Sequence, residues 1–325
     1  MQVVRLIHVM AATSQPEVTK MTMNRRRFLK LGGAVVAAGI AGTTVASATH
    51  SFTGHPDRYG MLSDMTRCIG CRRCEAACNR ANNLPKPEIP FEDESVFDEK
   101  RKPYVADVQS YTVVNRYEVN GTKVYRKVQC MHCDEPACVS ACFVSALQKS
   151  PEGPVTWDEK VCIGCRYCIT ACPFYIPAFE YSSTFTPKIQ KCFMCYERIK
   201  DGIVPACAEA CPVEAITFGK RSKLLKLAWM RIWGEPDKYI DHVYGEREAG
   251  GTGWLYVSGV PFSQLGFQMD MGTTPYPEFT KDFLSLVNLT LVTWPAIFGG
   301  IYLMTKNRVE ITDEETDEPN TEVEV

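Results

Sequence analysis

The segment CIGCRRCEAAC, residues 68–78, places four cysteines within eleven residues. Its opening motif CIGC returns at residue 162, in the segment CIGCRYCITACP. Cysteine at this density is typical of disulfide frameworks and of metal sites. The chain has 325 residues and 16 cysteines, and a chain of this length can bury a sizeable apolar core without many cross-links. The pattern therefore favours a metal-binding role over a purely stabilising one.

All the cysteines of the chain fall into four groups of four, and none is left over. The first and third groups have the spacing C-x2-C-x2-C-x3-C. The second, CMHCDEPACVSAC, and the fourth, CFMCYERIKDGIVPACAEACP, keep the opening pair and the C-x3-C ending but lengthen the middle. The four groups are Cys68, Cys71, Cys74 and Cys78; Cys130, Cys133, Cys138 and Cys142; Cys162, Cys165, Cys168 and Cys172; and Cys192, Cys195, Cys207 and Cys211.

The spacing of the first and third groups is that of bacterial ferredoxins. Three thiolates on a tight loop reach three irons of one cubane, and the fourth, displaced onto the start of a helix, binds a different cluster. Sixteen ligands at four per cluster predict four [4Fe–4S] clusters, and the complete groups give no indication of a three-iron cluster. His132 lies between two ligands, and we interpret it as a supporting or core histidine, not as a ligand.

Zinc and disulfides are the two competing interpretations of the cysteines. Zinc sites use isolated C-x2-C pairs, two per metal and often with histidine, which leaves the regular third and fourth cysteines of each group unexplained. Disulfides within such compact groups would close only very short loops, and neighbouring cysteines are poorly placed to pair. Both alternatives explain less of the pattern than iron–sulfur clusters do.

The composition indicates a globular protein without a nucleic-acid partner. The formal net charge is −2 and 45% of the residues are hydrophobic, so there is no global basic field of the kind that binds nucleic acid. The sequence contains no signature of a nucleophile–base pair, no phosphate-binding glycine loop and no spare metal site. We therefore expect a non-catalytic electron-transfer protein.

Strand-like segments accompany the cysteine groups and predict an α+β fold. YGMLSD, VYRKVQ and PVTW each precede a group, and FVSALQKS and PVEAITFG, which follow Cys142 and Cys211, look alike. This is the plan of a small α+β ferredoxin, repeated within the chain. The sequence predicts two ferredoxin-like modules with two clusters each, within an electron-transfer domain over residues 49–280.

Three shorter segments between the cysteine groups carry local predictions. Asn120-Gly121 between alternating segments predicts a β-hairpin with a type I′ turn. The amphipathic residues 220–233 predict a helix packed on the domain, with binding to anionic headgroups as the alternative. The proline-rich, charged residues 84–103 predict a surface loop.

The N-terminus has the pattern of an export signal. NRRRFLK, residues 24–30, precedes an apolar, glycine-rich and alanine-rich stretch and then the small residues Ala46 to Ala48. A basic region, an apolar region and a small-residue site make a signal peptide over residues 1–48. The arginine pair followed by Phe28 resembles the twin-arginine signal, which implies the twin-arginine export machinery as a partner. The true start could be Met23.

The C-terminus has the pattern of a membrane anchor. Residues 283–304 carry no charge, and a helix of that length spans about 33 Å, enough for a bilayer core. We therefore expect a transmembrane helix over residues 282–305. Lys306 and Arg308 place the acidic tail, residues 306–325, in the cytoplasm by the positive-inside tendency.

Four such groups in this order resemble the iron–sulfur subunits of membrane-bound oxidoreductases, the family of formate dehydrogenase and dimethyl-sulfoxide reductase beta subunits. The resemblance implies that the first group shares its clusters with the fourth and the second with the third. Spacing alone leaves this open, since the third and fourth groups are equally close in sequence. The implied ligand sets are Cys68, Cys71, Cys74 and Cys211; Cys78, Cys192, Cys195 and Cys207; Cys130, Cys133, Cys138 and Cys172; and Cys142, Cys162, Cys165 and Cys168.

The export signal, the single C-terminal anchor and the segment GGTGWLYVSGVPFSQLGF, residues 250–267, together resemble the HybA type, the electron-transfer subunit of periplasmic nickel–iron hydrogenases. This resemblance implies a location on the periplasmic face of the cytoplasmic membrane. It implies two partners, an exported nickel–iron hydrogenase and an integral, quinone-reactive membrane subunit. The alternatives are the same role for a molybdopterin oxidoreductase of the formate dehydrogenase type or for a multihaem cytochrome complex, and a structural metal protein without a redox role.

Overall fold

The computed structural model describes His55 and residues 57–103, 110–181 and 188–314, and only the backbone of residues 282–285, 288 and 306–314 within the last helix. The predicted signal peptide, residues 1–48, and residues 315–325 of the predicted tail lie outside the described part. Residues Ser51–Leu286 form one compact unit.

Short strands and helices alternate in this unit, which gives the mixed helix and strand content predicted from the sequence. In chain order the elements of the described part are β1 (Tyr59–Asp64), α1 (Arg73–Ala81), β2 (Thr112–Val119), β3 (Thr122–Gln129), α2 (Ala137–Ser140), β4 (Leu147–Lys149), β5 (Val155–Trp157), α3 (Tyr167–Thr170), β6 (Ala178–Phe179), β7 (Ile189–Gln190), α4 (Tyr196–Lys200), α5 (Ala206–Glu209), β8 (Ile216–Lys220), α6 (Arg221–Gly234), β9 (Trp254–Val257) and α7 (Tyr276–Glu314), with single 3-10 turns at Glu94–Phe97, Glu248–Gly250 and Phe262–Leu265.

A three-stranded sheet with the order β8-β1-β9 forms the core of the unit. The central strand β1 pairs antiparallel with β8 and parallel with β9. Successive side chains of a strand point to opposite faces, and both faces of this sheet are covered. Met61 packs with Trp254 and the cysteine-bearing segments on one face, and Leu62 packs with Leu255 and helix α6 on the other. This strand order places the first and fourth cysteine groups beside the same sheet.

Helix α6 covers the second face of the sheet. Its buried residues Leu224, Ala228 and Ile232 recur at helical spacing and lie in one apolar cluster with Leu62 and Val257. The prediction of a helix packed on the domain is therefore confirmed.

Strands β2 and β3 form the predicted hairpin. They pair antiparallel from Val119 and Thr122 outward. Asn120 and Gly121 have φ angles of 50° and 75°, and positive φ at both central positions is what a type I′ turn requires. Two smaller hairpins, β4–β5 and β6–β7, accompany the second and third cysteine groups. The division into two ferredoxin-like modules stays a prediction.

The C-terminal segment forms one long helix, α7, which includes the predicted transmembrane span over residues 282–305. Five side chains of that span, at 282–285 and 288, lie outside the described part. Within the residues that are described, no helix combines the length and the apolar character needed to cross a membrane.

Candidate metal centres

The opening C-x2-C pair has the same backbone turn in all four cysteine groups. The residue before the second cysteine adopts a left-handed conformation each time, at Gly70, His132, Gly164 and Met194. The sequence indicates this conformation only where the residue is glycine, because histidine and methionine rarely adopt positive φ.

The third cysteine of every group is the second residue of a helix. These residues are Cys74 in α1, Cys138 in α2, Cys168 in α3 and Cys207 in α5. Three of these helices are only four residues long. They end before the fourth cysteine, which is followed by a tight turn.

That turn is also repeated. The backbone N–H groups of Ser145, Tyr175 and Glu214 donate to the carbonyls of Cys142, Cys172 and Cys211 at 2.9, 3.1 and 3.3 Å. All three donors have positive φ. The first group departs from this pattern, since α1 continues through Cys78 to Ala81. Proline follows Cys172 and Cys211, whereas Phe143 follows Cys142 and Asn79 follows Cys78, so loss of a helical N–H donor to proline contributes to the turn in two of the three groups.

The first cavity brings together cysteines of the first and fourth groups. Its thiols are those of Cys68, Cys71, Cys74 and Cys211. Val114 and Ile216 contribute apolar wall, and the side chain of Lys127 reaches the same cavity. Cys71 is exposed, so the cavity approaches the protein surface at this thiol.

The second cavity also brings together cysteines of the first and fourth groups. Its thiols are those of Cys78, Cys192, Cys195 and Cys207. The lining is otherwise largely apolar, with Met61, Met194 and Trp254, and Lys127 reaches this cavity as well.

Cysteines of the second and third groups also lie close to one another. Burial first, and then the thiols of Cys172, Cys138 and Cys130, raise the pKa of Cys133 well above its usual value. Burial, followed by Cys162, Cys165 and Cys142, raises the pKa of Cys168 to about 11. Such interactions act only between close groups. The two cavities and these interactions bring together cysteines of the groups that the family resemblance pairs, while the four ligand sets and cluster binding itself stay predictions.

Shared apolar clusters link the four sets to one another. Cys207 packs in one apolar cluster with Cys74, which joins the second set to the first. Cys192 and Cys130 share another apolar cluster, which joins the second set to the third. Cys138 and Cys168 share a third, which joins the third set to the fourth. Only the outermost sets contain an exposed cysteine, Cys71 at one end and Cys165 at the other.

The donor sets fit an iron–sulfur cluster. Each set offers four thiols, and soft thiolate donors select iron–sulfur clusters among other thiophilic metals. Burial raises the pKa of Cys68 to about 11 and that of Cys192 to about 12, so the thiolate forms need a compensating positive charge, which bound iron supplies. Among the described residues no three His, Cys, Asp or Glu side chains converge closely enough to hold a single metal ion.

Lys127 is a site residue that the sequence analysis missed. It is 3% exposed, on strand β3, and its ammonium donates to Thr112 Oγ1 at 2.5 Å and to Gln129 Oε1 at 3.2 Å. Burial lowers its pKa, but the thiols of Cys207, Cys74, Cys192 and Cys78 outweigh burial and leave the pKa above its usual value. The sequence gives no signal for this role, because nothing in the alternating segment TKVYRKVQ marks Lys127 as buried.

His132 is fully buried beside the second cysteine group, and its interpretation as a supporting or core histidine stays a prediction. Its Nδ1 accepts the backbone N–H of Val155 at 2.9 Å. Burial first, and then Lys191 and Lys149, hold its pKa well below the usual value. The imidazole is therefore neutral and supports the turn between the cysteines of the second group.

Arg72 is a structural residue beside the first cavity. Its guanidinium pairs with Glu75 at 3.2 Å and donates to the carbonyl of Pro90 at 2.8 Å. Glu75 also pairs with Arg101 at 2.9 Å and accepts the N–H of Val114. This buried network fastens the loop 84–103 and strand β2 to helix α1.

Residues 250–267 form part of the core of the fold. Strand β9 within it completes the three-stranded sheet, and the N–H of Gly253 donates to the carbonyl of Met131 at 3.0 Å. Arg221 donates to the carbonyl of Thr252 and pairs with Asp134 at 3.2 Å. The segment thus holds the second cysteine group against the sheet.

Comparison with known proteins places these features in a family. The 4Fe-4S dicluster domain matches residues 122–221. A protein of Nitratidesulfovibrio vulgaris is 50% identical over 298 residues, 90% of this chain and 80% of the relative. Hydrogenase-2 operon protein HybA of Escherichia coli O157:H7 is 36% identical over 275 residues, 75% of this chain and 83% of the relative.

The iron–sulfur subunit of nitrate-inducible formate dehydrogenase of Escherichia coli is 34% identical over 224 residues, 65% of this chain and 74% of the relative. The matched domain spans the second, third and fourth cysteine groups. The chain belongs to the family of ferredoxin-type iron–sulfur electron-transfer subunits that includes HybA and the beta subunits of formate dehydrogenase and dimethyl-sulfoxide reductase.

Proposed function

We propose that this chain carries electrons between two redox partners through four [4Fe–4S] clusters. The observation that carries the proposal is the series of four thiol sets linked by shared apolar clusters, in which Cys71 and Cys165 are exposed and the other cysteines are buried or half-buried. When bound, each cluster supplies one-electron redox chemistry. The chain itself provides the ligands, the burial and the fixed spacing between neighbouring sets.

The ligands of each cluster are the four thiol sets described above. The third cysteines stand at the start of helices and the opening pairs on left-handed turns, so local backbone conformation positions three ligands of each set. The fourth ligand of each set comes from another group. Each set is therefore complete only in the folded chain.

We infer further that the partners are an exported catalytic module of the nickel–iron hydrogenase type and a quinone-reactive membrane subunit. The similarity to HybA over 83% of that relative supports the hydrogenase. The similarity to the formate dehydrogenase subunit supports a molybdopterin oxidoreductase as the second candidate. Purification in mild detergent under anaerobic conditions, followed by identification of the bound subunits, separates the two. Recovery of the chain with neither type of catalytic subunit would contradict both.

We place the working protein on the periplasmic face of the cytoplasmic membrane, exported by residues 1–48 and held by the helix over residues 282–305. The support is the arginine pair Arg25-Arg26 and the uncharged segment at residues 283–304. Changing both arginines to lysine should leave the protein in the cytoplasm, and ending the chain before Asp282 should release it into the soluble periplasm. Periplasmic recovery of the lysine variant, or retention of the shortened chain in washed membranes, would contradict the respective assignment.

A further inference from the structure

Lys127 is a buried cation that two metal cavities share. Its side chain lines the first cavity with Cys74 and the second with Cys207. Strand β3 is fixed by its pairing with β2, and the hydroxyl of Tyr256 donates to the Lys127 carbonyl at 3.1 Å. The position of the ammonium between the two cavities is therefore set by the core of the fold.

The direct partners of this ammonium are neutral. They are the oxygens of Thr112 and Gln129, and the ring of Trp254 lies 4.7 Å away. All three favour the charged form of lysine, since an ammonium only donates hydrogen bonds and is attracted to an aromatic face. Among the described residues no carboxylate forms an ion pair with Lys127.

A buried charge without an ionic partner is costly. The negative charges available to Lys127 are the thiolates of the two cavities that it lines. A cluster with its four thiolates is an anion and gains negative charge when it accepts an electron, and net charge is one of the factors that set cluster potentials. An ammonium at this position therefore favours the reduced form of both neighbouring clusters.

We propose that Lys127 is the shared counter-ion of the first two clusters and raises the reduction potential of both. The proposal rests on the proposed function, because it requires the four clusters. Each cluster takes one electron from its donor and passes one to its acceptor. Lys127 exchanges neither an electron nor a proton in this process. It lowers the free energy of the electron on the first and second clusters.

Lys127 lines neither of the other two sets, and the third set has lysines of its own, Lys149 near Cys133 and Lys191 near Cys138. Lys149 donates to the carbonyl of His132 and Lys191 to the carbonyl of Cys192. The groups that act on Cys168 in the fourth set are thiols and its own backbone. Removal of Lys127 should therefore act on two clusters and leave two unchanged.

The test is a redox titration of the anaerobically purified protein, followed by EPR, in which the four midpoint potentials are compared. Lys127→Met removes the charge and keeps the volume, and Lys127→Gln removes the charge and keeps a polar end. Lys123→Met is the matched control, since Lys123 is exposed on the same strand. We expect both Lys127 variants to bind as much iron as the wild type.

Two of the four potentials should fall in both Lys127 variants, by on the order of a tenfold shift in the reduction equilibrium, about 59 mV for one electron. The control should leave all four unchanged. Unchanged potentials in both variants, or an equal shift of all four, would overturn the proposal. If Lys127→Met loses iron, the Lys127→Gln titration decides, and loss of iron from both variants would show that Lys127 acts in assembly instead. A wild-type protein without clusters would refute the proposed function itself.

Discussion

Cys78 and Cys211 are the fourth cysteines of their groups, and each stands in a cavity with three cysteines of the other group. The sequence identifies all 16 cysteines as ligand candidates because their spacing encodes the loop and helix start. It does not identify their partners, because a ligand set joins residues that only the sheet brings together. Lys127 gives no signal of its own in an alternating strand, and only its burial between two cavities reveals it.

Double substitutions test whether the first and fourth cysteine groups each contribute one ligand to the cluster held by the other group. Cys74→Ala and Cys211→Ala should each lose one cluster, about four of roughly sixteen irons, and the double variant should lose no more, because both residues serve the same cluster. Cys74→Ala with Cys78→Ala should lose about eight irons, because these neighbours serve different clusters. Iron and sulfide analysis of anaerobic samples measures both.

The opposite pattern of iron loss would contradict this sharing of ligands between the first and fourth groups. If each group bound its own cluster, Cys74→Ala with Cys78→Ala would lose about four irons and Cys74→Ala with Cys211→Ala about eight.

Gly70 is the residue whose small size the first loop requires. Its φ is 72°, and a Cβ atom there would lie 2.3 Å from the ring of Tyr125. Gly121 has a φ of 75° with open space around it. Gly70→Ala should therefore destabilise the protein by more than Gly121→Ala, whose cost is the left-handed backbone alone, about 1 kcal/mol.

Thermal melts of both glycine variants, under anaerobic conditions and at equal iron content, measure this difference. Equal midpoints would show that Tyr125 moves aside without cost, and the close approach would then not constrain the loop.

At the scale of elements, strand β1 and helix α6 are joined by a buried ion pair. Asp64, at the end of β1, is fully buried and accepts from Arg231 at 2.9 Å and from the hydroxyl of Tyr239 at 2.8 Å. Its other oxygen accepts the N–H of Thr66. This network ends the strand and turns the chain toward the first cysteine loop.

Asp64→Asn should destabilise the protein strongly, because it leaves the charge of Arg231 unpaired at a largely buried position, at a cost of about 3 kcal/mol. The matched control is Glu209→Gln, which breaks a pair with Arg198 whose members are 32% and 63% exposed. An exposed pair contributes at most about 1 kcal/mol.

The thermal midpoint should fall by roughly 6–12 °C in the first variant and by a few degrees at most in the second. Equal shifts in the two variants would show that the Asp64 network does not hold β1 to α6.

Most elements could be predicted from local sequence. The segment YGMLSD predicts β1, Asn120-Gly121 predicts the hairpin, and the amphipathic residues 220–233 predict α6. The parallel pairing of β9 with β1 could not be predicted, because Trp254 and Met61 are far apart in the chain and no local pattern encodes their register. The left-handed turns at His132 and Met194 could not be predicted either, because tertiary packing overrides the preference of these residues.

At the scale of the whole molecule, the chain leaves the central sheet after the first cysteine group and returns to it with the fourth. Between these points it forms the two sets shared by the second and third groups. The first two sets are closed by the pairing of β1 with β8. Folding therefore completes the ligand sets. The family relation indicates that these sets serve electron transfer.

The central claim is that the sixteen cysteines hold four [4Fe–4S] clusters in one electron-carrying row. The most direct measurement is iron and acid-labile sulfide analysis of the anaerobically purified protein, together with EPR after reduction. The account predicts about sixteen irons and a similar amount of sulfide per chain, with EPR signals of interacting reduced clusters. Few irons, iron without sulfide, or no signal after reduction would contradict it.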